Sequence, residues 1–179
     1  AGATLGGSGT IGGDVVVSGI LSAGNSPGTL TIDGDLTLDA ASTTIFELGA
    51  PGVVGGSAND HIIVGGVLTL GGTLDINVAA AGYYGLFDYG SLVFGGAVNL
   101  DVEGTGGFNV AAAGLQFDTP GEINLSVLGF GQTLQFWDGS DMDGNGIVDG
   151  GTGTWNAGNT NWTGQPGEAE INGPWVASV

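Results

Sequence analysis

The run Asp141-Met142-Asp143-Gly144-Asn145-Gly146-Ile147-Val148-Asp149 concentrates more chemistry than any other stretch of the chain. It matches the first nine positions of a calcium loop of the D-x-D-x-N-G type. Oxygens of Asp141, Asp143 and Asn145 converge on one side, and Gly146 permits the sharp turn. Ile147 offers its backbone carbonyl, and Asp149 ligates directly or through water. The twelfth position is Thr152 where such loops carry a bidentate Glu, so one strong ligand is missing. Asp138, just outside the loop, is the substitute within reach. The spacing therefore predicts a structural Ca2+ site built from Asp138, Asp141, Asp143, Asn145, Ile147 and Asp149, with no helices flanking it. The competing reading is a solvated Asp/Gly/Asn turn that holds no ion.

Other reactive residues make weaker patterns. His61 is the only imidazole. Its neighbour Asp60 points to the opposite face if both lie in a strand, so the pair does not form the base and orienting acid of a Ser-His-Asp triad. A strand-entry histidine on the surface or partly packed is the simpler expectation. Asp33 with Asp35, and Asp141 with Asp143, are the carboxylate pairs near enough in sequence for glycosidase work. Tyr83, Tyr84, Phe87 and Tyr89 form either a sugar-stacking platform or a packed aromatic stack. Trp137, Trp155, Trp162 and Trp175 pose the same choice.

The elements that must position these residues are short strands. Thr29-Leu30-Thr31-Ile32, Leu36-Thr37-Leu38, Thr73-Leu74-Asp75-Ile76-Asn77-Val78, Ala97 to Val102 and Glu122 to Val127 all alternate polar and apolar residues. Such period-two runs bury one face and wet the other. Gly6-Gly7, Gly12-Gly13, Asp33-Gly34, Gly65-Gly66, Gly71-Gly72 and Gly95-Gly96 punctuate them as turns. Helical periodicity is nearly absent, because a glycine interrupts every stretch long enough for three helical turns. An antiparallel sandwich and a parallel β-helix both fit short strands with two-residue corners. Strand shortness and apolar positions that continue through successive corners favour the β-helix. At about 20–25 residues per coil, residues 1–135 make about six coils. Acidic residues are sparse along each strand, so like charges need not stack on adjacent coils. Residues 136–179 change character: they are rich in Gly, Asn and Trp and form either a cap or the start of another repeat.

Composition limits what such a fold can do. The 179 residues include 18 acids, no Lys, no Arg and no Cys, for a net charge of −18. Nucleic acid and anionic membrane surfaces need basic side chains, so both are excluded as partners. P-loop chemistry lacks its lysine, and disulfides and Cys-ligated metals have no ligands. No apolar run approaches the ~20 residues of a membrane-spanning helix, so no direct membrane insertion is expected. With 41% apolar and 10% charged residues, the chain is too hydrophobic for an acidic disordered segment. Its 40 glycines follow no G-X-Y period, which excludes collagen.

The stretch Ser22-Ala23-Gly24-Asn25-Ser26-Pro27-Gly28-Thr29-Leu30-Thr31-Ile32 resembles a motif of bacterial type V autotransporter passenger domains. Gly34 to Leu38, Ser42 to Leu48, Asn59 to Val64, Leu70 to Ile76 and Gly82 to Tyr89 look like the family's following strands. Trp137-Asp138-Gly139, Gly151 to Asn156 and Asn161-Trp162 are similar to the opening of an autotransporter-associated β-strand repeat. The resemblance covers nearly the whole chain. It implies a right-handed parallel β-helix on the bacterial cell surface, in an excised piece of a longer passenger. The implied role is a rigid stalk or adhesive surface and not an enzyme. Its partners would be neighbouring repeats of the same or identical chains, and a host or bacterial surface glycan or protein. A subunit of a self-associating extracellular fibre or surface layer is the alternative. A polysaccharide-active β-helix ranks below both, because the lyases it resembles use an Arg or Lys base that this chain lacks.

Overall fold

The computed structural model describes residues 2–24, 27–104, 106–132, 135–140, 150–154, 158 and 160–163. The chain divides into a unit of Ala1–Gly129 and a unit of Phe130–Val179, whereas the sequence pattern divides it at 135/136. Among the described residues the structure is all-β, with no helix.

In the first unit the strands are β1 (Thr4–Gly7), β2 (Gly9–Ile11), β3 (Val15–Val17), β4 (Ile20–Ala23), β5 (Thr29–Ile32), β6 (Leu36–Leu38) and β7 (Thr43–Leu48). They are followed by β8 (His61–Val78), β9 (Gly82–Gly104), β10 (Phe108–Gln116) and β11 (Glu122–Gly129). All eleven belong to one sheet. Its pairing falls into three parallel columns. In the first, Gly9 pairs with Leu30, Leu30 with Ile62 and Ile62 with Phe87. In the second, Val15 pairs with Leu36, Leu36 with Leu68 and Leu68 with Leu92. In the third, Thr4 pairs with Ile20, Ile20 with Thr43, Thr43 with Thr73 and Thr73 with Asn99. The chain visits the columns in the same cyclic order each time.

Alternation explains why these strands stack. Leu36, Leu38, Leu68, Leu70, Leu74 and Ile76 are fully buried, while Thr37, Thr69 and Thr73 between them are part-exposed. One hydrophobic core draws residues from all three columns. Phe46 in the third column meets Phe87 in the first edge-to-face, with ring centroids 5.2 Å apart. Burying each such side chain contributes roughly 1.5–3 kcal/mol.

Four expectations need correction. Gly65-Gly66 and Gly71-Gly72 do not end strands: the ladder of β8 runs through both pairs with only a register shift at each. The glycines are bends in a continuous ladder, where lack of a Cβ allows close approach. An alanine Cβ at position 66 would lie 3.0 Å from the Gly34 carbonyl oxygen and closer still to the Asp35 carboxylate. The stack is also shorter than six coils. The third column holds only β1, β4, β7, β8 and β9, because the loop before Asn59 lengthens one circuit and the last strands leave the pattern. Glu122 to Val127 alternates like the others, yet β11 pairs antiparallel with β9, and β10 antiparallel with β11. Finally, like charges do stack: Asp75 is the register partner of Asp101.

In the second unit, β12 (Phe136–Trp137) and β13 (Trp162–Thr163) form an antiparallel pair. Trp137 and Trp162 pack edge-to-face at 5.3 Å. The Trp137 indole N–H donates to the Gly151 carbonyl at 3.2 Å.

Candidate functional site

The predicted calcium ligands Asp141, Asp143, Asn145, Ile147 and Asp149 lie outside the described residues. Asp138 is described and fully buried. Its backbone N–H donates to the Asn161 carbonyl at 3.0 Å, and the Asn161 amide in turn donates to the Gly139 carbonyl. The β12–β13 pair thus fixes the backbone at Asp138. Among the described residues no three acidic or imidazole side chains come together as a metal site.

The most ordered polar constellation lies where β8 begins, at Asn59-Asp60-His61. All three are buried, at 0%, 1% and 2% exposure. The Asn59 side-chain oxygen accepts from the backbone N–H groups of Gly49 and Ala50, at 2.8 and 2.9 Å. Its amide donates to the carbonyls of Ala50 and Val53. One asparagine therefore closes the loop that leaves the ladder after β7. Asp60 accepts from Gly28 N–H at 2.7 Å and from Glu47 N–H at 2.9 Å, tying that loop to two earlier segments. Burial pushes its carboxyl above the ordinary value of 3.8; the two N–H donors pull it part way back, and the charge of Glu47 adds to the rise.

His61 is more deeply buried than a surface strand-entry residue. Its Nδ1 lies 3.3 Å from the Gly85 carbonyl, and its Nε2 lies 3.2 Å from a carboxylate oxygen of Asp88. Both ring nitrogens therefore face acceptors on β9. The Nδ1 contact ties the start of β8 to β9, while Nε2 lies beside the Asp88 carboxylate without a hydrogen bond. Sequence reasoning missed Asp88 as the companion of His61 and Asn59 as the residue that closes the loop after β7. The available signal was a polar triplet placed directly before the apolar run Ile62-Ile63-Val64, where a strand enters the core.

The other candidates disperse. Asp35 accepts from Val67 N–H at 2.8 Å, and Asp14 accepts from Asp35 N–H at 2.9 Å. Each caps the backbone of the next strand in its column, so Asp33 and Asp35 do not form a catalytic pair. Tyr84 and Phe87 are buried, with the Tyr84 hydroxyl donating to the Ala80 carbonyl at 2.7 Å. Tyr83 is exposed and Tyr89 partly buried, so the four rings make no common platform. Trp155 and Trp175 lie outside the described residues.

The described residues of the first unit thus form stacked parallel strands with part-exposed Thr between buried Leu and Ile. Comparison with known proteins supports a fragment of a bacterial autotransporter passenger. The chain is 44% identical over 143 residues, 79% of its length, to the "Adhesin BmaC autotransporter" of Brucella suis biovar 1 (strain 1330). It spans about 4% of that relative's length. Passenger domains of this kind are displayed on the bacterial cell surface, which places the chain there. No family model matches the chain, and no solved structure matches it.

Proposed function

We propose that this chain is a non-catalytic segment of an autotransporter passenger, a right-handed parallel β-helix that holds an adhesive surface away from the cell. The observation that carries the reading is the set of three parallel columns sharing one core. A chain that returns to the same three columns in the same order needs only a consistent crossover sense to wind into a solenoid, and crossovers between parallel strands are right-handed in the great majority of sheets. Nearest-neighbour stacking makes such a rod stiff. The adhesive part of the reading draws on the relative, which is named an adhesin.

The test is a surface-display assay. Deleting this segment from its passenger is expected to lower attachment of displaying bacteria to host cells or to immobilised glycans. A deletion that shortens the surface projection in electron micrographs with attachment intact would make the segment a spacer. A deletion that changes neither would sink the proposal.

A structural Ca2+ at Asp141, Asp143, Asn145, Ile147 and Asp149, completed by Asp138, belongs to the same proposal. It is supported by the loop spacing and by the burial of Asp138 beside it. Added Ca2+ is expected to raise the melting temperature, EDTA to reverse the gain, and Asp141→Ala to abolish it. A melt indifferent to all three would remove the ion. The fibre alternative has one observation in its favour: among the described residues no further strand pairs with the outer edges of β1, β2 and β3. Against it, β11 and β10 extend only the first column at the other end, which obstructs flush end-to-end stacking of copies.

A further inference from the structure

β9 carries an edge that the rest of the sheet does not use. β11 pairs with Gly82 to Asp88, and among the described residues no strand pairs with the outer side of Ser91 to Gly104. The core rows break off there. Leu70 is fully buried, but its register partner Phe94 is 58% exposed. Leu74 and Ile76 are fully buried, but their partners Leu100 and Val102 are only half-buried. Phe117 props the Phe94 ring edge-on, with centroids 5.7 Å apart, without covering it. The result, among the described residues, is a run of backbone donors and acceptors without a strand partner alongside an apolar row that the core covers only in part, the combination that strand addition uses.

Charge narrows the occupant. Asp101 and Glu103 point outward from the same edge and are exposed, with Asp75 directly beneath Asp101. An added strand sets its own outward residues about 4.8 Å above them. Acidic residues there would be opposed by like charge, and basic ones favoured. A second copy of this chain fits poorly: it carries −18 and no Lys or Arg, and the strands β11 and β10 stand in its way on the first column.

We propose that the edge Ser91–Gly104 is a strand-addition site for an extended segment of another polypeptide, with apolar residues at alternate positions and Lys or Arg between them. This rests on the adhesive reading and gives that surface a partner chemistry.

The experiment is hydrogen exchange on the purified chain with capped seven-residue peptides alternating Val with Lys, or Val with Glu. A third peptide, Lys alternating with Pro, keeps the charge but cannot complete a ladder. The Val/Lys peptide is expected to protect amides within 91–104 and to bind at least tenfold more tightly than Val/Glu. Lys/Pro is expected to give no protection. Asp101→Asn with Glu103→Gln is expected to erase the Lys preference while the protection remains. No protection in 91–104, equal binding of Val/Glu, or protection by Lys/Pro would each overturn the proposal. So would concentration-dependent dimerisation of the chain alone with the same protected amides, which would assign the edge to a second copy. A negative result here with attachment intact in the display assay removes this site and leaves the adhesive reading standing.

Discussion

Asp60 accepts two backbone N–H groups at once, from Gly28 and Glu47, so removing its side chain strands both donors. A buried donor left unsatisfied costs ~1–3 kcal/mol. Asp60→Ala is therefore expected to lower unfolding free energy by about 2 kcal/mol or more, read by urea denaturation. Its titration adds a second expectation. Burial raises the folded carboxyl above the ordinary 3.8, so the folded chain binds this proton more tightly than the unfolded chain. The stability linked to that proton is complete below the ordinary value and is lost as pH rises through the raised one. As pH rises above the ordinary carboxylate value and through the raised one, the wild type should therefore lose more stability than Asp60→Asn. Equal losses would show that Asp60 titrates alike in the two states. None of this was legible in Asn59-Asp60-His61, because the partners that bury the triplet come from Gly28, Glu47, Ala50 and Gly85, all distant in sequence.

At the level of the strand, the bends in the ladder discriminate between glycines of identical sequence appearance. A Cβ at Gly66 would strike the Asp35 carboxylate and the Gly34 carbonyl, whereas one at Gly96 would meet only the Ala40 methyl at an ordinary 3.9 Å. Gly66→Ala is expected to cost about 1–3 kcal/mol and Gly96→Ala to be close to neutral, compared by thermal melts. Equal effects would mean that the columns do not approach each other as described. Alternation made most of the strands readable: Thr29 to Ile32 and Leu36 to Leu38 are strands with their apolar residues inside. Alternation encodes which face a residue takes, and says nothing of partner direction. That is why Glu122 to Val127 read like the parallel strands before it. In the structure it runs antiparallel, and Asn124 and Ser126 are buried along with its apolar residues. The same blindness concealed the stacking of Asp75 on Asp101, which depends on register alone.

Over the whole molecule, −18 without any Lys or Arg leaves a folded chain that repels itself. Stacking concentrates that repulsion, as at Asp75 and Asp101. Screening acts within about 8–10 Å at physiological salt. Raising NaCl from about 10 mM to about 150 mM should therefore stabilise the chain by about 1 kcal/mol, roughly 2–4 °C in melting temperature. A melting temperature that falls with salt would contradict this account of its charges. The lack of cysteine, inert in the native molecule, makes the decisive experiment clean. One outward pair per column is available: Thr31 with Ile63, Thr37 with Thr69, and Thr73 with Asn99. Neighbouring strands bring such residues within the ~4.4–6.8 Å Cα separation that a disulfide spans. With both members of a pair changed to Cys, mild oxidation is expected to cross-link all three double variants nearly to completion. The out-of-register control Thr31→Cys with Ile62→Cys should stay reduced, because its side chains point to opposite faces. Failure of any column to cross-link, or cross-linking of the control as readily as the pairs, would contradict three parallel columns around one core.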